Sequence, residues 1–584
     1  MLNGVKNLAV ADYIIIGGYF VIMVAIGVYC LRYSRSLRDY FTGGNQVPWW
    51  LAGISFYRTT FSTFVFVGFC EIAYRYGWVA VTIFWMPIGA CLIAALVFAP
   101  RWRRARVLSP IEYIGRRYND GLRQVFAWGG IPLRMVDDGL RIYATAIFIS
   151  VGTGINIKAS VMVCGTVVLL YTLLGGLWAV TVTDFVQFII LAVAAMAFVP
   201  FALARVGGWK GFVAGSPPGF FHLTSPPYTW FYLLSYLVLL ILNYNAGWSL
   251  AQRYYCVRNE VEARKVPLLV AALQIFTPPI FFIPAMVARQ VLPQLLVAPN
   301  KPEYCYVALA LMVLPAGLVG LMVAAMFSAT MSALSAEYNV LASVLTNDVY
   351  LKLVNPNADE ALTMKVARIS TLLVGLLTMG FGFLVLLSPG VTLFSKMVTV
   401  FGVVAPALMI PVLAGFVSRH VTSRGALAGV IAGLISGISF YLYRLYFLPS
   451  ASFEDKQWAT QVYEPMMIFV NVGVTIVALV VTSLLERRAQ AEEARVESFF
   501  LSLSRPVSED PVEPAGETAV SPFHLVGVVV MLVGALLALV GLFMVSGSGR
   551  SLDLGLGLGI VVLGYLLYRS SRISGESRGS RERV

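Results

Sequence analysis

The chain predicts an all-α polytopic membrane protein with about 15 transmembrane helices. Three observations carry that expectation. Of its 584 residues, 59% are hydrophobic and 12% charged, with a mean hydropathy of +0.81; a soluble chain of this length needs far more charge to cover its surface. Apolar runs long enough to cross a bilayer recur from end to end. The formal net charge of +13 gathers in alternate short loops between those runs. That is the positive-inside pattern, so a lipid bilayer is the expected partner and nucleic acid is not.

In order, the candidate spans lie near 10–32, 48–73, 78–99, 124–153, 158–180, 183–206, 228–251, 266–289, 306–345, 366–388, 392–417, 425–447, 465–485, 523–546 and 552–568. The first is long for a signal-peptide core and is trailed by Arg32, Arg35 and Arg38, so it reads as an uncleaved helix with an outside N-terminus. Counting onward, the inner loops hold Arg101, Arg103, Arg104 and Arg106, then Arg253, Arg258 and Arg264, then Arg419 and Arg424, then Arg487 and Arg488. Outer loops hold isolated cations such as Lys210, Lys301, Lys456 and Arg550, and the C-terminus falls on the cytoplasmic side. The short loops and plain tail suit a bacterial inner membrane, a plasma membrane in either case. The 306–345 stretch is too long for one simple span and implies a tilted, bent or protruding helix.

Residues 207–227, rich in Gly and Pro, read as an ordered outer cap or a flexible loop; residues 487–521 read as a charged cytoplasmic linker. Beyond the linker, Gly555 and Gly559 stand in GxxxG spacing on the last helix, which permits close packing with a neighbouring helix of the body or with a second copy. The six cysteines and three histidines are dispersed, without metal-ligand spacing.

The second span, Val47 to Gly77, carries Ser55, Arg58, Thr59, Thr60, Ser62 and Thr63 at its centre. An arginine at mid-helix costs roughly 2.5–3.5 kcal/mol on insertion scales, so Arg58 must face protein or a water-filled cavity. Nearby hydroxyls can satisfy backbone groups where such a helix loosens. Within 124–153, Arg134–Asp138 and Asp137–Arg141 form i,i+4 pairs. They are either self-paired bridges or the charged wall of an aqueous pathway, in which Asp137 or Asp138 answers Arg58. On the 306–345 stretch Ser328, Ser332, Ser335, Asn339, Ser343 and Thr346 recur at helical spacing, a polar stripe that glues helices or lines a path. Glu337 lies just off it, a candidate proton-sensitive carboxylate, and Asp184 with Gln187 sets another acid near the inner side.

These parts resemble the sodium:solute symporter family. The matching residues are Asp39-Tyr-Phe-Thr-Gly-Gly44 with Pro48-Trp-Trp50; Tyr171-Thr-Leu-Leu-Gly-Gly-Leu-Trp-Ala-Val180 with Thr183, Asp184 and Gln187; Gln252-Arg253-Tyr254; and Met331-Ser-Ala-Leu-Ser335 with Asn339, Asp348 and Tyr350. The similarity runs through about residues 10–485. It implies two inverted five-helix repeats, each with a broken first helix, a solute site at the midplane and alternating access by rocking of a bundle against a scaffold. On this chain the division is 1–47 (N-terminal helix and inner loop), 48–206 and 228–417 (the repeats), 418–486 (additional helices), 487–521 (linker) and 522–584 (accessory helix pair and basic tail).

The resemblance places the family's sodium ligands on the carbonyls of Arg58 and Phe61 and on Ala329, Ser332 and Ala333, with Asp184 near them. One of two expected hydroxyls is therefore an alanine, and a guanidinium stands beside the site. Sodium is the candidate coupling ion and no other cofactor is implied. Two readings stay open. Arg58 supplies in permanent form the charge that sodium brings elsewhere, and sodium coupling is lost; or Arg58 binds an anionic solute while sodium remains coupled. The expected solute contacts are Arg58, Thr59, Thr60, Thr63, Phe64, Asp138, Asn245 and Trp248. Many relatives have an acidic or amide residue followed by glutamine upstream of Gln252-Arg253; here the pair is Gly247-Trp248, so no relative's solute can be copied across. A small organic solute moved by secondary transport is the leading expectation. A transporter-derived sensor that engages a partner through 487–521 is the second. A membrane enzyme finds no nucleophile, metal cluster or paired carboxylates at a membrane face to support it.

Overall fold

In hydrocarbon every backbone N–H and C=O must find its partner within the segment, which leaves a chain of apolar runs little alternative to helices. The computed structural model describes residues 8–30, 42–173, 176–297, 301–386, 393–447, 458–507, 522–544 and 548–579. Arg32, Arg35 and Arg38, the 39–41 and 174–175 portions of the quoted motifs, Lys456 and linker residues 508–521 lie outside them.

The helices, in order, are α1 (Val10–Cys30), α2 (Trp49–Thr60), α3 (63–76), α4 (Val79–Arg104), α5 (Pro110–Arg117), α6 (Asp120–Thr153), α7 (Ile157–Leu173), α8 (Gly176–Ala204), α9 (Gly208–Ala214), α10 (Trp230–Ala246) and α11 (Trp248–Tyr255). They continue as α12 (Glu260–Val291), α13 (Cys305–Val313), α14 (Leu318–Val354), α15 (Glu360–Leu386), α16 (Leu393–Val417), α17 (Ser423–Phe447), α18 (Thr460–Leu485), α19 (Gln490–Ser504), α20 (Pro522–Met544) and α21 (Ser548–Gly579).

Among the described residues ten helices are long and apolar enough to cross a membrane, or eleven if the bent pair α10–α11 is one span. The remaining expected spans fall short for identifiable reasons. α1 and α7 are counted only over Val10–Ile26 and Ile157–Leu170, α2 and α3 are interrupted, and α6 carries four charges in two turns, Arg134, Asp137, Asp138 and Arg141. The 306–345 stretch resolves into α13 and α14, parted at Leu314–Gly317, where Gly317 turns with φ +92°.

Two further breaks position the site. Phe61 leaves the helical region at φ −113°, ψ 112° between α2 and α3. The hydroxyl-rich sequence meets this opening: Ser62 Oγ accepts from the Phe64 amide at 3.3 Å, and the Thr63 amide donates to Thr330 Oγ1 of α14 at 3.0 Å. Gly247 separates α10 from α11 with a 50° bend. A Cβ there would lie 2.4 Å from the Asn243 carbonyl, so only glycine fits.

The basic loops converge on one end of the bundle. Arg103 Nε donates to the Val257 carbonyl at 2.7 Å, Arg104 pairs with Glu260 at 3.1 Å, and Arg117 donates to the Gly415 and Val421 carbonyls at 3.0 Å each. Residues 490–504, expected within a linker, form α19. It buries Val496, Phe499 and Leu503, and Phe499 meets Tyr113 of α5 at 5.5 Å. At the opposite end, 207–227 is an ordered cap: Phe212 and Phe220 are buried, and the Trp78 amide donates to the Phe220 carbonyl at 2.8 Å.

The terminal hairpin α20–α21 packs on α1 and α8, but not through the GxxxG pair. Gly555 and Gly559 face no neighbour within 4 Å, whereas a Cβ on Gly534 would lie 2.7 Å from the Gly557 carbonyl. Positions seven apart fall on one helix face. The contact stripe is therefore Gly527, Gly534 and Gly541 against Gly557 and Gly564; residue 555 lies roughly 160° around from 557.

Candidate functional site

Between the two inner breaks lies a cavity lined by nine helices, α2, α3, α4, α6, α10, α11, α12, α14 and α16. Thr59, Thr60, Ser62 and Phe64 come from the α2–α3 break, Asn243 and Ser249 flank the α10–α11 break, and α6 contributes Arg134, Asp137 and Arg141. Gln274 of α12 and Glu337 of α14 complete the charged and amide lining, while Phe69, Phe84, Tyr236, Tyr244 and Phe401 add aromatic surface among aliphatic residues such as Val65, Leu240 and Leu250.

The charged wall is only half self-paired. Arg141 Nη2 pairs with Asp137 Oδ2 at 2.8 Å, and Nη1 donates to the Thr59 carbonyl at 3.4 Å. The expected Arg134–Asp138 pair is not formed. Arg134 Nη1 instead faces Glu337 Oε1 of α14 at 3.5 Å, with Ser249 Oγ donating to the same Glu337 oxygen. Asp138 is fully buried with neither carboxylate oxygen hydrogen-bonded, and Glu337 Oε2 is likewise without a hydrogen bond. Four residues advance a helix by about 40° past a full turn, which turns Asp138 away from the cavity while Arg134 enters it.

Arg58 lies off the cavity wall. Its side chain is fully buried, and Nη2 donates to Ser328 Oγ at 3.1 Å while Nε and Nη1 find no hydrogen-bond acceptor. Neither Asp137 nor Asp138 answers it, since Asp137 is held by Arg141. Ser328 precedes Ala329, Ser332 and Ala333 on the buried α14, so the guanidinium reaches the helix that carries the expected sodium ligands. Close by, Gln187 Nε2 donates to Tyr19 Oη of α1 at 3.0 Å. Asp184 answers Arg58 through space without a hydrogen bond to it, while Ser55 Oγ donates to it and Arg253 Nη2 stands 3.9 Å away.

Arg253 continues a polar layer one turn below the cavity toward the basic end. Its Nε donates to Ser55 Oγ at 2.9 Å and its Nη1 to Gln252 Oε1 at 2.6 Å; Gln252 Nε2 then donates to Asn339 Oδ1 at 3.0 Å. This layer ties α2, α8, α11 and α14 together.

Of the other expected contacts, Thr59, Thr60 and Phe64 line the cavity. Thr63 Oγ1 donates to the Met326 carbonyl at 2.5 Å, and Phe61 sits in an aromatic cluster with Phe281 at 4.5 Å. Asn245 Nδ2 donates to the Ile241 carbonyl at 2.8 Å, and Trp248 lines a separate small space with Phe126, Gly130 and Leu408. Gln274 was missed, although a lone amide in an apolar run is a readable signal. Tyr19, Tyr236 and Tyr244 carry no such signal, because tyrosine is ordinary in membrane helices.

The model of the Sodium:solute symporter family matches residues 40–433. A sodium/sialic acid symporter of Aliivibrio fischeri is 26% identical over 446 residues, covering 74% of this chain and 87% of its own. A sodium/glucose cotransporter of Vibrio parahaemolyticus is 26% identical over 505 residues, covering 80% and 91%. The solved structure of a sodium-coupled sialic acid symporter, substrate-bound and outward-open, superposes with a TM-score of 0.70 at 22% identity, covering 82% of this chain and 99% of that one. That similarity establishes the architecture of a helical transporter. The chain belongs to the sodium:solute symporter family.

Proposed function

We propose that the protein is a secondary transporter of a small carboxylate-bearing solute, held by Arg134, and that Arg58 occupies the place of a coupling sodium ion. The observation that carries the solute class is the guanidinium of Arg134. It lines a cavity that both helix breaks also line and is met there by Glu337 at 3.5 Å, a contact too long for a good charge-assisted hydrogen bond. A carboxylate can take two parallel N–H bonds from such a fork. The aromatic lining suits an apolar body on the solute.

For sodium the residues fit poorly. Sodium wants several hard oxygens, yet Ala333 stands at one of the two hydroxyl positions and the Arg58 guanidinium reaches the same helix at Ser328. An arginine stays charged even when buried and repels a second cation. The domain division given above, with inverted repeats at 48–206 and 228–417, supports rocking about the two breaks. The cavity then faces outward, with the Asp184–Ser55–Arg253–Gln252–Asn339 layer closing the cytoplasmic side. The positive-inside pattern supports a plasma-membrane orientation with the N-terminus outside.

The test is binding of monocarboxylates, lactate and benzoate first, beside their neutral amides. Arg134→Gln is expected to weaken carboxylate binding by about 10- to 100-fold, the worth of a hydrogen bond to a charged group, and to leave the amides unaffected. Equal loss for amide and carboxylate would remove Arg134 as the anion anchor.

A further inference from the structure

We propose that Glu337 binds the proton that couples to solute movement: a solute carboxylate and Glu337 compete for the Arg134 guanidinium, and the displaced Glu337 takes up a proton. This rests on the reading of Arg134 as the solute's anchor. Glu337 is 1% exposed yet lines the cavity, and its Oε1 faces Arg134 at 3.5 Å while its Oε2 has no hydrogen bond. One oxygen is thus in the path of an incoming anion, and the other is open to a proton.

The charge count of the cluster makes the exchange stoichiometric. Asp137, Asp138 and Glu337 face Arg134 and Arg141 across the contact of α6 with α14. A carboxyl as buried and unpartnered as Asp138 is neutral, so Asp137 and Glu337 balance Arg134 and Arg141. A solute carboxylate would leave one uncompensated buried negative charge, which is unfavourable. One proton restores the solute-free charge.

Other ionisable groups on the packed helices are committed elsewhere. Arg141 holds Asp137; Arg253 of α11 holds Ser55 and Gln252; Arg58 of α2 holds Ser328; Asp184 of α8 takes Ser55. Tyr19 of α1 accepts from Gln187, and Tyr338 follows Glu337 on its own helix beside Asp138. Asp138 is fully buried and lies off the cavity wall, so Glu337 is the acid of this α6–α14 pair that lines the cavity.

In the step, the solute carboxylate takes the Arg134 N–H bonds and the guanidinium keeps its proton. A proton from the bulk solution adds to Glu337, whose new O–H donates to an adjacent oxygen, Ser249 Oγ or the solute. Carboxylate and proton enter together, so transport is electroneutral and needs no sodium.

The experiment measures lactate and benzoate binding to purified full-length protein in choline buffer from pH 5.5 to 8.5, where both probes stay ionised. Expected is a Kd that rises by up to tenfold per pH unit in wild type, through proton–ligand linkage, and that is flat in Glu337→Gln. A pH-indicator dye in weakly buffered wild type should register uptake of one proton per ligand bound, a readout independent of any variant. Binding with a flat pH profile and no proton uptake would overturn the coupling while leaving the anchor standing. No binding of either carboxylate at any pH would overturn the anchor, and the coupling with it.

Discussion

Arg58→Ala is expected to lower the melting temperature in choline and, unlike wild type, to recover stability when sodium is added. In the native chain the guanidinium is fully buried between α2 and α14 and donates to Ser328 at 3.1 Å. Truncation removes that packing and leaves a polar space beside Ser328, Tyr19 and Gln187. Large-to-small changes at buried sites cost about 2–5 kcal/mol, and a space of this polarity admits water. It also admits a cation, since the backbone oxygens at the helix break and the Ser332 hydroxyl remain. A ligand at 100 times its Kd returns about 2.7 kcal/mol, comparable with the loss. Thermal unfolding in choline, potassium and sodium checks this. A sodium-specific shift in wild type, or none in the variant, would contradict a resident cation.

Asp348→Ala should be the most destabilising single change at the basic end. Asp348 is fully buried, ion-paired to Arg123, and accepts from Arg123 Nε at 2.7 Å and Ser109 Oγ at 2.6 Å. Ser109 is in turn the N-cap of α5, accepting the Glu112 amide at 3.0 Å. The carboxylate therefore pins the π-helical end of α14 (Val344–Val354) to α6 and α5 at once. Removing one partner of a buried pair costs about 3–5 kcal/mol, and the exposed Asp120 at 3.7 Å is only a weak substitute for Arg123. Asp348→Asn, which keeps one acceptor, should lose less. An unchanged melting temperature in Asp348→Ala would show that Arg123 finds another acceptor.

Much of the architecture is legible because lipid imposes it. Length and hydropathy locate spans, and a mid-span arginine among hydroxyls marks the break at Phe61–Ser62. The family follows from dispersed motifs such as Met331–Ser335 and Asp184–Gln187. The partners of the charges are not legible. Helical spacing pairs Arg134 with Asp138, but Arg134 turns to Glu337, a residue 203 positions away in sequence. Side-chain direction at an interhelical contact is decided by packing between α6 and α14, and local periodicity carries no information about it. The same limit applies to Gly555 and Gly559, whose spacing does not say that they face away from α20. Asn245 and Trp248 sit at a genuine break yet point to the Ile241 carbonyl and to a separate space. The break was readable; the rotation of α10 and α11 about it was not.

The most direct test of the account is counterflow of labelled lactate and benzoate in proteoliposomes, with sodium fully replaced by choline. Transport without sodium, at rates unchanged by adding it and strongly reduced in Arg134→Gln, is the predicted result. Carboxylate movement that appears only with sodium would contradict Arg58 as the resident cation and return the protein to sodium-driven symport.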